Sequence, residues 1–86
     1  KGLHMAVYHN NARIASEIRE KRTILRDRYG GMMTLEELRE ELGYRSRTSA
    51  RQAAQELGIL PTQIGRMKKY DTDQVAKRLV ELRGMC

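Results

Sequence analysis

The chain contains no tryptophan and no phenylalanine, a single proline and a single cysteine. Each scarcity excludes something. One cysteine, Cys86, cannot close an intrachain disulfide, so packing alone must hold the fold. That usage suits a reducing cytoplasm, and Cys86 is expected to be an exposed, incidental thiol. Four tyrosines are the only aromatics, a poor platform for stacked bases, which argues against RNA or single strands as ligands. No stretch nears the roughly 20 apolar residues that cross a bilayer, and no signal-peptide core is present, so no membrane partner is expected. The two histidines, His4 and His9, have no third ligand at metal spacing. No nucleophile–base set and no phosphate loop occurs. The expectation is a protein without catalytic residues, metal or cofactor.

What is present is positive charge, unevenly spread. The 86 residues, one domain by length, carry 17 basic and 11 acidic side chains, a net charge of +6. Residues 1–43 hold 8 basic and 7 acidic groups, and residues 71–86 hold 3 of each. Residues 44–70 hold 6 basic and 1 acidic, a net of +5. One short segment therefore carries nearly all the excess, as expected where a polyanion binds. Lys1 to Met5 reads as a vector scar and is set aside.

Residues 6–9 show no pattern and are expected to be loose. From Asn10 or Asn11 the spacing predicts a helix to about Arg28. Ile14 or Ala15, then Ile18, Leu25 and Tyr29, form its narrow apolar stripe, with Arg22 interrupting. Gly30-Gly31 should end it in a flexible joint. Thr34 to Glu37 is a capping box, opening a helix with Leu35, Leu38 and Leu42 inward. Its outer face, Glu36, Glu37, Glu40 and Glu41 with Arg39, is net −3 and expected to be solvated. Gly43 stops it.

A third helix follows, capped by Ser46 or Thr48. Ala50, Ala53, Ala54 and Leu57 give it a small-residue core face, and Gly58 ends it. Ile59 to Ile64 then reads as a strand, Gly65-Arg66-Met67 as a turn and Lys68 to Asp71 as the return strand. Thr72 is expected to cap a last helix that runs to Gly84, with Asp73 at its first position.

Helix, short turn, helix, hairpin, helix is the order of a winged helix-turn-helix. The fold expected is mainly α with a small two-stranded β-hairpin, preceded by an extra N-terminal helix. Residues 6–31 would be that helix and its joint, and residues 32–86 the DNA-binding domain. The two central helices differ in sign outside: the first is acidic, the second basic and amide-rich. Only the second can approach phosphates. A recognition helix presents its N-terminal half to the major groove, where arginine pairs with guanine and glutamine with adenine. The candidate contacts there are Arg45, Ser46, Arg47, Thr48, Ser49, Arg51, Gln52 and Gln55. On the wing they are Gln63, Arg66, Lys68 and Lys69, which can follow the backbone or enter a narrow minor groove. From the residues alone, a basic face docking an acidic protein partner stays open beside double-stranded DNA.

The runs Thr34-Leu35-Glu36-Glu37-Leu38 to Leu42-Gly43, Ser46-Arg47-Thr48, Gly58-Ile59-Leu60-Pro61, Ile64-Gly65-Arg66 and Lys69-Tyr70-Asp71-Thr72-Asp73 resemble the winged helix-turn-helix of phage excisionases and MerR-type regulators. The resemblance spans about residues 34–83, and the small size is closer to the excisionases, also called recombination directionality factors. It implies a bacterial host cytoplasm, repeated sites in attachment DNA, bending of that DNA and promotion of integrase-mediated prophage excision. It also implies DNA contacts by the second helix and the wing, at Arg45, Arg47, Thr48, Arg51, Gln52, Arg66, Lys68 and Lys69. A small MerR-like transcription regulator has the same fold. The sequence departs from the family at Ser49 and Ala50, where bulkier residues are usual. The helix before Gly30 has no counterpart. It could cover the core of its own chain, add Arg13, Arg19 and Arg22 to the DNA contacts, or meet another copy through Ile14, Ile18 and Leu25. The last reading would suit cooperative binding along repeated sites.

Overall fold

The computed structural model describes residues 2–84, and side chains from residue 12 to residue 83. Cys86 and Lys1 lie outside the described residues, as do the side chains of His4 and His9. The order of elements is α1 (Gly2–Tyr29), β1 (Met32–Met33), α2 (Leu35–Leu42), α3 (Arg47–Glu56), β2 (Thr62–Ile64), β3 (Met67–Asp71) and α4 (Thr72–Gly84). It is a mainly helical protein with one small antiparallel sheet.

That sheet has three strands, not the two expected, in the order β1-β3-β2. Met32 faces Asp71 and Met33 faces Tyr70. Two residues are too few to show a period, so β1 was invisible as a pattern. It exists because β3 offers a free edge and because Met33 and Tyr70, both buried, pack as a cross-strand pair. The hairpin is also shorter and tighter than expected. Ile59 is a buried core residue after α3 and not part of a strand, and β2 begins only at Thr62. Ile64 pairs directly with Met67, leaving a two-residue turn, Gly65-Arg66. Gly65 has φ 61° and no non-glycine residue has positive φ among those described. That combination fits a type II′ turn, whose twist matches the strands it joins.

α1 starts eight residues or more before the expected Asn10 or Asn11, so residues 6–9 are helical and not loose. Extending a formed helix costs far less than nucleating one, and Leu3, Met5 and Ala6 are good helix formers. At about 1.5 Å per residue the helix is roughly 42 Å long. It sets the long axis of the molecule, whose extents are 51 × 23 × 20 Å.

Its C-terminal half is part of the main core. Leu25, Met33, Leu38, Ala54, Ile59, Tyr70, Val75 and Ala76 form one buried cluster, with Tyr29, Leu35, Leu42, Leu57 and Leu79 against it. Residues 6–31 and 32–86 thus share a core. α1 runs antiparallel to α4: Arg26 grips Asp73 with bonds of 2.7 and 2.9 Å, while Glu17 and Glu20 share a groove with Arg83 at the far end. The Gly30-Gly31 joint is pinned, not free. Buried Thr72 donates its hydroxyl to the Gly30 carbonyl at 2.8 Å and its amide to the Gly31 carbonyl at 3.1 Å. With its hydroxyl so used, Thr72 is not the cap of α4. Asp71 takes that role, its carboxylate accepting from the Asp73 amide at 3.1 Å.

The acidic outer face of α2 is likewise not simply solvated. Glu41 accepts from Lys21, Arg28 and Tyr29 of α1 at 3.3, 3.2 and 3.1 Å. Burial, first of all, pushes the Tyr29 hydroxyl above its ordinary pKa. Glu37 closes the capping box expected from Thr34.

Candidate nucleic-acid interface

α2 and α3 meet through a turn whose geometry follows from its residues. Gly43 takes φ 81°, a conformation in which a side chain would be strained, and its amide bonds the Arg39 and Glu40 carbonyls. Arg39 reaches over to donate to the Tyr44 carbonyl at 2.8 Å, fixing the approach to α3. Ser46 is the N-cap: its hydroxyl accepts from the Ser49 amide at 3.1 Å and donates to the Ser49 hydroxyl at 2.9 Å. Thr48, the other candidate cap, is the second residue of the helix, within its first turn, and its side chain is exposed.

α3 is divided sharply into two faces. Ala50, Ala53 and Ala54 are buried. Small side chains let the helix lie close to its neighbours and leave the long ones outside. Arg45, Ser46, Arg47, Thr48, Ser49, Arg51, Gln52 and Gln55 are all exposed. So are Gln63, Arg66 and Lys68 on the hairpin, while Lys69 is half-buried.

Several of these candidates converge. Arg51, Gln55 and Lys68 line a groove of about 180 Å³ between α3 and the hairpin, floored by Ile59, Leu60, Pro61 and Tyr70. On the other side of Arg51 and Lys68, a shallower depression is lined by Arg47 with Thr34, Leu35, Glu36 and Met67. Arg51 and Lys68 border both, so the basic flank of α3 and the basic strand β3 form one continuous surface. Arg45, Ser46, Thr48, Ser49, Gln52, Arg66 and Lys69 line neither groove. Gln63, exposed on β2, donates its amide to the Gly65 carbonyl at 2.8 Å and so braces the turn.

The charge pattern on this surface is lopsided. Arg47 donates to Glu36 at 3.3 Å. Arg45, Arg51, Arg66, Lys68 and Lys69 enter no ion pair among those of the described residues. Glu36 is the acid that sequence reasoning did not connect to the site. A hydrogen bond from Arg39 holds its carboxyl below the usual carboxylate range, and Arg47 adds to this. The pairing crosses the α2–α3 turn over eleven residues, beyond any helical period. Leu60 and Pro61, read from the sequence as part of a strand, lie before β2, are exposed and line the groove.

Of the residues proposed to meet another copy, Leu25 is fully buried in the core of its own chain and offers no surface. Ile14 and Ile18 are half-buried. No group of three or more His, Cys, Asp or Glu residues able to hold a metal ion occurs among the described residues, and no helix among them is long and apolar enough to cross a membrane. Compared with known proteins, the chain matches no family model, no curated protein and no solved structure.

Proposed function

We propose that this protein binds duplex DNA as a winged helix-turn-helix, with α3 in the major groove and the β2–β3 hairpin as a wing along the flanking backbone. The observation that carries the reading is the exposed surface shared by Arg51, Gln55 and Lys68, whose two cations enter no ion pair among the described residues. Phosphates require cations that are not already paired, and base edges require arginine and amide groups that reach outward. The turn geometry supports it further, because the N-terminal turn of α3 is exposed and its capping serine faces solvent.

Within that reading, the resemblance of residues 34–83 to excisionases favours an architectural role. The protein binds repeated attachment-site DNA, bends it and assists an integrase in prophage excision. The smaller step, DNA binding, is tested by a gel-shift titration on duplex DNA at several salt concentrations. Affinity should fall with salt at a log–log slope of about −0.9 per phosphate contact. Absence of binding to any duplex at low salt overturns the proposal. Circular-permutation mobility of the complex tests the architectural step: an unbent complex favours a transcription regulator.

A further inference from the structure

The hairpin tip carries an apolar pair that the packing of the chain leaves about half exposed. Ile64 and Met67 sit directly opposite each other beside the turn, and are 48% and 54% exposed. A Cβ built on Gly65 meets nothing within 4 Å, so the turn itself is open there, while Met67 borders the shallow depression beside Arg47. Exposed apolar side chains occur singly on any surface, but these two are cross-strand partners at the end of a projecting ribbon. Their neighbours are cations: Arg66 lies between them in the turn, and Lys68 follows Met67.

We propose that Ile64 and Met67 form a wedge that enters the minor groove and unstacks a base step, kinking the duplex. The inference rests on the DNA reading above and names how that site would deform its ligand. Arg66 supplies the attraction to the minor groove, where negative potential is concentrated. A two-stranded ribbon is wider than the roughly 6 Å minor groove of straight B-DNA, so the wedge requires the groove to open, as it does where an inserted side chain kinks the duplex. Isoleucine and methionine are among the side chains that minor-groove proteins insert between bases, because the unstacked step exposes apolar base faces for them to cover. The tip is held rigid for this purpose by the Gln63 amide on the Gly65 carbonyl.

The test compares the full chain with an Ile64→Ser/Met67→Ser variant on two probes, a short fully paired duplex and the same duplex carrying one central mismatch. A mismatch lowers the cost of unstacking, so the unaltered protein should favour the mismatched probe by about tenfold. The variant should lose that preference while keeping its affinity for the paired probe within a few-fold and its salt slope unchanged. Both side chains are exposed, so an unchanged thermal unfolding midpoint should accompany the result. Equal binding of both probes by the unaltered protein, a variant that retains the preference, or a variant that loses both probes alike would each overturn the wedge. Failure of the unaltered protein to bind either probe would overturn the DNA reading itself.

Discussion

The two sides of this molecule spend their charges differently. Around α1, α2 and α4, several acids are matched to bases that fix them in place. Glu41 holds Lys21 and Arg28, Asp73 holds Arg26, and Glu36 binds Arg39. Across α3 and the hairpin the cations face no acids apart from Glu36 at one corner. Charge is used on the first side to fix helices in place and left available on the second. Among the described residues, Arg13, Arg19 and Lys77 also enter no ion pair, but they are scattered along α1 and α4 and line neither of the two grooves beside α3. The proposed DNA-binding face rests on this concentration of unpaired cations on one side of the molecule.

The contrast is most easily broken from the scaffold side. Leu25→Ala should cost about 2–5 kcal/mol, as buried leucine truncations do, close to the whole stability of a chain this small. Urea denaturation would measure it. A loss below about 1 kcal/mol would mean that α1 merely leans on a domain complete without it. On the binding side, Arg51→Ala and Lys68→Ala should each reduce the salt slope of duplex binding by about one contact and weaken it uniformly across sequences. Lys77→Ala, on α4, should leave both quantities unchanged. An equal effect from all three would erase the distinction between the two faces.

A smaller effect is expected at the corner where the faces touch. Glu36→Gln removes the acid beside Arg47 and should tighten duplex binding a few-fold, read by titration at low salt. Weaker binding would mean that Glu36 chiefly orients Arg47. The smallest effect is a pH dependence. The bidentate bond from Arg26 holds the Asp73 carboxyl below its ordinary value of 3.8. A depressed carboxylate stabilises the fold above the ordinary aspartate range, and that contribution disappears as pH falls through the lowered folded value. Asp73→Asn should therefore lower the urea midpoint slightly near neutrality and not at the acid end. Solvent screening at this partly exposed pair keeps the shift modest.

Much of this architecture was legible because it is local. The Thr34–Glu37 capping box, the Ser46 cap, the Gly43 stop and the alanine stripe of α3 each lie within one or two helical turns. The exposed candidates on α3 followed from the same periodicity, since burying Ala50, Ala53 and Ala54 commits Arg51, Gln52 and Gln55 to the outside. What could not be read was long-range. β1 depends on a partner 39 residues away, Met32 opposite Asp71. The partners of Glu41 come from another helix, as does the Arg47 partner of Glu36. Thr72 misled for a similar reason. Its hydroxyl was suited to a cap, but the Gly30 carbonyl, 42 residues earlier, claimed it and left Asp71 to cap α4.

That same threonine changes what Gly30-Gly31 means to anyone cutting the chain. The dipeptide has the composition of a spacer and looks like a place to fuse, split or permute the protein. Its two carbonyls instead receive both hydrogen bonds from Thr72, at the point where α1, the sheet and α4 converge. Protease should find the site protected in the folded state, and a break there would detach Leu25 and Tyr29 from the remaining core together with the helix that carries them.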